Sequence, residues 1–164
     1  MAALEFIIDG HKVLIDEDDA HILSRYSWRA PTNRNKTYVR CDTRKQGKKV
    51  YLLLHREILG LKVGDKLQAD HINGNSLDNR RENLRVVTPR QNNLNSKKKY
   101  SKHGNRFRGI STRKYGFPSQ IRVNGKLQHL GTYKTDVEAA YAYDMASLEH
   151  HGEFGRRNFL PLVR

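Results

Sequence analysis

Residues 70–75 read Asp70-His71-Ile72-Asn73-Gly74-Asn75, followed by Asn83-Leu84 and then by Thr88-Pro89-Arg90-Gln91-Asn92. Acid, imidazole and carboxamide side chains stand at the ends of short apolar runs, with turn residues between them. Lys66 to His71 predicts a strand that ends on the acid–imidazole pair, and Leu84-Arg85-Val86-Val87 predicts a second strand beside it. Thr88 as N-cap, Pro89 at the first helical position and Gln91 at N3 form a capping box with the favoured proline. Asn92 then lies just past the first turn of a helix and faces back across the hairpin. The expected unit is two strands followed by a helix, with one candidate ligand on the first strand and one on the helix.

The rest of the chain supplies a context for this unit. Lys and Arg number 31 against 17 Asp and Glu, a net charge of +14. The excess is uneven: residues 1–30 hold 3 bases and 6 acids, residues 31–96 hold 14 and 6, and residues 97–164 hold 14 and 5. A surplus of this size favours polyanions, nucleic acid foremost. No basic amphipathic helix points to a membrane surface, and the longest apolar run, Val50 to Leu54, is far below the ~20 residues that span a bilayer. The start, Met1-Ala2-Ala3-Leu4-Glu5, lacks the basic and apolar regions of a secretory signal. Cys41 is the only cysteine, which excludes an internal disulfide and a cysteine-rich zinc site and suits a reducing, cytoplasmic compartment.

Acid, imidazole and carboxamide beside a polyanion suit phosphodiester hydrolysis. Water must be activated near neutral pH, and a histidine with a pKa near ~6.5 does so without large tuning. The charge that grows on phosphorus and on the leaving oxygen must be offset, most directly by a divalent cation. Such hard cations take oxygen ligands, and Asp70 and Asn92 can supply one each. If the strand stays extended, His71 points to the opposite face from Asp70. Asn73-Gly74-Asn75 is an obvious break, and the two come together only if the strand breaks at His71.

Outside this unit, Glu5 to Ile15 gives two β runs around Asp9-Gly10, a strong hairpin signal. Asp16-Glu17-Asp18-Asp19 suits the N-terminus of a helix bearing Ile22, Leu23 and Tyr26. Strands are predicted at Ser27–Arg29, Thr37–Arg40 and Lys49–Leu52, the last two joined through a basic tip at Arg44–Lys48. A short helix follows over Leu52–Gly60, stopped by Gly60. Its His55 is either a core-edge residue or a group that borders the active site. Asn92 to Arg108 reads as a basic linker, and Lys97, Lys98 and Lys99 are placed along a phosphate backbone. Beyond it come three β runs, Phe107–Ser111, Gln120–Val123 and Lys126–Leu130, with a hairpin turn at Asn124-Gly125. A helix then opens at the capping box Thr135-Asp136-Val137-Glu138 and stops at Gly152, with Val137, Ala140, Tyr141, Met145 and Leu148 at helical spacing.

Two resemblances sharpen this reading. The segment with Leu54-His55-Arg56, Asp70-His71-Ile72-Asn73-Gly74, Asp78-Asn79-Arg80, Glu82-Asn83-Leu84, and Thr88 with Asn92 resembles the HNH (ββα-metal) endonucleases, particularly those of phage and intron origin. The resemblance implies that His71 is the general base, that Asp70 and Asn92 bind one divalent ion, and that Asn83 braces the loop. Asn92 where histidine is frequent fits Mg²⁺ or Mn²⁺ better than zinc. Residues 106–160 resemble a DNA-binding domain of the AP2/ERF type, at Phe107-Arg108-Gly109-Ile110, Ile121-Arg122, Leu130-Gly131-Thr132-Tyr133, Glu138 to Asp144, and Asn158-Phe159. That resemblance implies a three-stranded sheet laid in the major groove. Arg108, Arg113 and Arg122 fall at its contact positions, Tyr115 and His129 stand where tryptophans are usual, and Tyr141 and Tyr143 are expected in the core.

The expected fold is α+β: an HNH nuclease domain with an N-terminal strand and helix extension over residues 1–95, a basic linker over 96–106, and an AP2-like domain over 107–164. The expected function is a divalent-metal DNA endonuclease, in the manner of a homing enzyme, that acts on double-stranded DNA as a monomer or homodimer in a bacterial or phage-infected cell. The competing expectation is a non-catalytic DNA-binding protein with a vestigial nuclease fold. Nothing in residues 1–50 points to a function of its own.

Overall fold

A computed structural model describes residues 2–33, 36–45, 47–96 and 106–159. It is a mixed α/β structure of small antiparallel sheets and few helices, and the chain divides into two compact units, Met1–Asn92 and Asn93–Arg164.

The first unit opens with the hairpin of β1 (Ala3–Ile8) and β2 (His11–Asp16). Its turn holds Asp9 at φ 47° and Gly10 at φ 78°, the left-handed pair that a two-residue hairpin loop requires. The Asp9 carboxylate also accepts the Ala30 N–H at 2.9 Å. A 3₁₀ helix follows over Glu17–Arg25. Its acids do more than face a helix terminus. Asp16 precedes it without capping it and instead accepts the backbone N–H of Arg81 at 2.7 Å, while Asp19 takes the Arg81 Nε and Nη2, each at 2.7 Å.

Next come β3 (Thr32–Asn33), β4 (Lys36–Thr37), β5 (Arg40–Lys45), β6 (Lys48–Leu53) and α1 (Leu54–Ile58). The strand expected at Ser27–Arg29 reduces to one bridge, Arg29 to Arg40, and the Trp28 indole N–H donates to the Ile22 carbonyl at 3.2 Å. The helix begins two residues later than expected, since Leu52 and Leu53 are paired to Cys41 and Arg40 in the β5–β6 ladder. It ends as predicted beside Gly60, at φ 68°. The core gathers Val13, Ile15, Ile22, Ala30, Val39, Leu54, Ile58 and Leu84, so the N-terminal hairpin, α1 and the site hairpin share one interior. That hairpin is β7 (Gln68–His71) with β8 (Leu84–Val87), followed by α2 (Pro89–Asn95).

In the second unit, β9 (Phe117–Val123) pairs with β10 (Lys126–Tyr133) through a left-handed turn at Asn124 and Gly125. This sheet packs on α3 (Asp136–His151), which a short 3₁₀ turn, Gly152–Phe154, follows. The reciprocal capping box is present: Glu138 N–H to Thr135 Oγ1 at 3.2 Å, and Thr135 N–H to Glu138 Oε2 at 3.1 Å. The expected third strand over Phe107–Ser111 does not form, and Ile110 makes a single bridge to Ser119. Gly109 interrupts it at φ 76°, where an added Cβ would lie 2.0 Å from the Tyr143 ring.

The buried face of α3 also differs from expectation. Ala139, Ala140, Tyr143, Asp144, Ala146 and Ser147 are buried, whereas Val137, Tyr141 and Met145 are exposed. The alanines bring the helix backbone close to the sheet, and the Ser119 hydroxyl reaches the Ala139 carbonyl at 2.9 Å. Asp144, fully buried, accepts the N–H groups of Asn158 and Phe159, each at 2.7 Å. This ties the returning chain onto the helix.

Candidate active site

The β7–β8 register sets Asp70 opposite Arg85 and His71 opposite Leu84. The ladder therefore continues through His71, and the chain turns only afterwards, where the Gly74 N–H reaches the His71 carbonyl at 2.8 Å. The break at Asn73-Gly74-Asn75 therefore comes after His71 and does not bring Asp70 and His71 to one face. Successive strand side chains alternate, so the two residues serve opposite faces of β7, both buried.

Asp70 lies on the face that meets Arg85 and α2. Arg85 donates to Asp70 Oδ2 from Nε at 3.0 Å and from Nη2 at 2.9 Å. Gln68, two residues earlier and hence on the same face, accepts the Asn92 Nδ2 at 2.7 Å. Asn92 is presented there because α2 starts where the sequence says it should: Thr88 N–H donates to Gln91 Oε1 at 2.8 Å and Gln91 N–H to Thr88 Oγ1 at 3.3 Å. Asp70, Gln68 and Asn92 thus bring oxygen-bearing side chains to one face.

His71 faces α1. Its ring lies 4.8 Å from that of His55 and 6.2 Å from that of Tyr38, and Tyr38 lies 5.6 Å from His55. Burial and the neighbouring charges of His71 and Arg56 push the His55 pKa down to about 3. Burial also lowers that of His71, against the raising influence of its hydrogen bond to Asn79 and of the nearby Asp70 and Asp78 carboxylates. Neutral imidazoles therefore fill this face at neutral pH, and a neutral imidazole can accept a proton. The His71 Nε2 lies 3.3 Å from Asn79 Oδ1.

The loop from Ile72 to Asn83 is held by its own carboxamides. Asn83 Oδ1 accepts the Asn73 N–H at 3.0 Å, and its Nδ2 donates to the Asp78 carbonyl at 2.8 Å. Asn73 Nδ2 reaches Asp78 Oδ2 at 3.0 Å. The Arg80 guanidinium, 2.8 Å from Asp78, holds that carboxyl below its ordinary pKa. The N-terminal hairpin grips the loop from outside, through Leu14 N–H to the Leu77 carbonyl at 2.9 Å and Asn79 N–H to the Leu14 carbonyl at 2.8 Å.

Several of these residues are not among the sequence candidates. Arg85 and Gln68 follow from hairpin register and strand alternation once Asp70 is chosen. Asn79, eight residues past His71, lies in the Asp78-Asn79-Arg80 turn of the family resemblance but carries no role there, whereas Tyr38 has no local signal, because its contacts to His55 and His71 span distant positions of the chain.

The candidate DNA-contact residues divide. Arg122 is exposed and shares a face of the β9–β10 sheet with Leu127, Gln120 and His129 through the pairs Arg122–Leu127 and Gln120–His129. Its Nη1 donates to the Gly125 carbonyl at 2.8 Å. Tyr115, 85% exposed, and exposed Arg113 lie on the tight turn closed by the Arg113–Gly116 bridge. Arg108 is half-buried and turned inward: its guanidinium donates to the Ser96 carbonyl, and its backbone N–H donates to Asn158 Oδ1 at 2.7 Å. Tyr143 is in the core, whereas Tyr141 is 49% exposed and stacks 4.8 Å from Phe159. Lys97, Lys98 and Lys99 lie outside the described residues. Among the described residues, no three His, Cys, Asp or Glu gather as a metal-ligand group, and no helix is long and apolar enough to cross a membrane.

The strand, loop, strand and helix that carry this site coincide with a known sequence pattern. Residues 52–94 match the model of the HNH endonuclease family. The chain is also 34% identical, over 109 residues, to an uncharacterized HNH endonuclease of Acanthamoeba polyphaga mimivirus. That alignment covers 64% of this chain and 56% of the relative, so the chain spans little more than half of the viral protein's length. No solved structure matches the chain.

Proposed function

We propose that this chain is a metal-dependent DNA endonuclease of the HNH type. The observation that carries the reading is the content of the matched segment, residues 52–94. It holds Asp70, His71, Asn83 and Asn92, with Asp70 and His71 adjacent and buried at the end of one short strand and Asn92 hydrogen-bonded to Gln68 of that strand. A net charge of +14 suits a nucleic-acid substrate.

In this reading His71 is the general base. Its neutral imidazole takes a proton from water as the water oxygen bonds to phosphorus, and the phosphorus–oxygen bond opposite breaks. Asn83 keeps the loop in shape around it. The donor chemistry of the Asp70 face, one carboxylate with the carboxamides of Gln68 and Asn92, fits a hard divalent ion such as Mg²⁺ or Mn²⁺. Asp70 and Asn92 would hold it, with few protein ligands and hence room for phosphate oxygens and water. Such an ion offsets the charge that develops on phosphorus and the leaving oxygen.

The second unit serves as the targeting module, an AP2-like sheet whose outer face presents Arg122 and His129 to the major groove, with Arg113 and Tyr115 beside it. Residues 1–95 form the nuclease domain, 96–106 the basic linker and 107–164 the targeting domain, with Lys97, Lys98 and Lys99 lying along the phosphate backbone. A monomer carries one cutting centre and nicks double-stranded DNA, whereas a homodimer cuts both strands. An intracellular homing enzyme is one role that fits.

The test is incubation of supercoiled plasmid with the protein in Mg²⁺, in Mn²⁺ and in EDTA, beside His71→Ala. Nicking that needs a divalent ion and vanishes in His71→Ala is expected. No cleavage by the unaltered chain in any divalent ion would sink the enzyme reading in favour of a non-catalytic DNA-binding protein.

A further inference from the structure

We infer that Asn79 is a positioning residue that holds the His71 imidazole in its Nε2–H tautomer, so that the ring's lone pair is on Nδ1. This rests on the reading of His71 as the general base.

His71 Nε2 and Asn79 Oδ1 are 3.3 Å apart, in residues only 6% and 0% exposed. A carboxamide can meet the ring in two ways. With Oδ1 toward Nε2, the ring donates and the tautomer is Nε2–H. With Nδ2 toward Nε2, the ring accepts and the proton lies on Nδ1. Asn79 Oδ1 is the atom that faces Nε2, and an amide oxygen only accepts, so Nε2 carries the proton.

Among the described residues, Asn79 Nδ2 is buried without a hydrogen-bond partner, so the carboxamide spends its oxygen on the histidine and leaves its N–H unmatched, at a cost of about 1–3 kcal/mol.

Asn79 is also held where it can act. Its N–H donates to the Leu14 carbonyl at 2.8 Å, and the Leu14 N–H donates to the Leu77 carbonyl at 2.9 Å. Arg81, two residues on, is clamped by Asp16 and Asp19. The acceptor is thus fixed by the N-terminal hairpin and the 3₁₀ helix, which gives residues 2–25 a part in the chemistry. Asn83 cannot serve the same purpose, since its carboxamide is committed to the Asn73 N–H and the Asp78 carbonyl.

Ring ¹⁵N spectra of histidine-labelled full-length protein test the assignment, with His71→Ala identifying the His71 signals among the eight histidines. A protonated Nε2 with a proton slow to exchange is expected in the unaltered chain. Asn79→Leu should lose that slow proton and cut at least about tenfold more slowly in single turnover at unchanged DNA affinity, a loss smaller than the ~10²–10⁴-fold that a general base supplies. Asn79→Asp, which keeps an acceptor oxygen, should recover the slow proton and most of the rate.

A proton on Nδ1 in the unaltered chain overturns the inference without need of any variant. So does a slow Nε2 proton and a full cutting rate in Asn79→Leu. Full nicking by His71→Ala overturns the base reading itself, and with it this role, whereas a failure confined to the Asn79 variants leaves that reading standing.

Discussion

Arg85 meets Asp70 across a directly opposed strand pair, with two guanidinium nitrogens on one carboxylate oxygen and side chains only 11% and 8% exposed. The proposed metal ligand therefore already has a cation beside it. A buried ion pair of this kind adds little net stability, but removal of one member leaves the other charged and dry, at a cost of about 3–5 kcal/mol.

Arg85→Met is expected to lose stability in urea unfolding, because Asp70 gives up the two guanidinium hydrogen bonds opposite it. Divalent ions should then return part of it, since a ligand that binds only the folded state stabilises it by mass action. Melting curves in Mn²⁺ and in EDTA should differ more for Arg85→Met than for the unaltered chain. An equal difference in the two proteins would count against Asp70 as a ligand.

His55 sets a pH dependence. Its folded-state pKa, about 3, is well below its ordinary 6.5, so between those values the unfolded chain takes up a proton that the folded chain refuses. Stability is then complete above pH 6.5 and falls as pH drops toward 3, with a slope approaching ~1.4 kcal/mol per pH unit from this one group. His55→Phe keeps a ring against Tyr38 and His71 and removes the titration. Chemical unfolding at several pH values should show a shallower acid-side slope in that variant.

What the sequence made legible follows the range of the interactions. The two Xaa-Gly hairpin turns, both capping boxes and the Gly60 stop lie within a few residues, and each is where local chemistry placed it. Glu17, Asp18 and Asp19 stand in the first turn of a helix as their spacing suggests, yet Asp16 and Asp19 also reach across the chain to Arg81, a pairing no local pattern encodes. On α3 the alanines let the helix lie close to the sheet, with Ala139, Ala140 and Ala146 buried, whereas Val137, Tyr141 and Met145, which share the apolar spacing, are exposed because larger side chains have no room against it. In the site, Asp70, His71 and Asn92 stand out by residue type and Asn79 sits in the Asp78-Asn79-Arg80 turn without a role, but Tyr38 emerges only once tertiary contacts are known.

Gly109 tests the packing of the second unit. It combines φ 76° with a would-be Cβ 2.0 Å from Tyr143 and 2.7 Å from the Gln120 carbonyl. Gly109→Ala therefore demands both a strained backbone, about 1–3 kcal/mol, and displacement of a buried ring. Hydrogen exchange should show protection lost in β9, β10 and α3, with the β7–β8 hairpin little changed. Unchanged protection in α3 would mean that the ring has room to move.

Under the proposed function, Arg122 is the residue whose loss should affect DNA binding and not cutting. It is exposed on the open face of the β9–β10 sheet, and its removal takes nothing from either core. If it meets a phosphate, Arg122→Ala should weaken binding uniformly across DNA sequences and lower the salt slope by about one; if it reads a guanine edge, the loss should be about 1–3 kcal/mol and confined to sites with that base. Fluorescence anisotropy on a panel of duplexes at several salt concentrations distinguishes the two. In either case divalent-dependent nicking should persist at high protein concentration, because Asp70, His71 and Asn92 belong to the other unit. Abolished nicking together with altered metal binding in Arg122→Ala would contradict the division of labour between the two units.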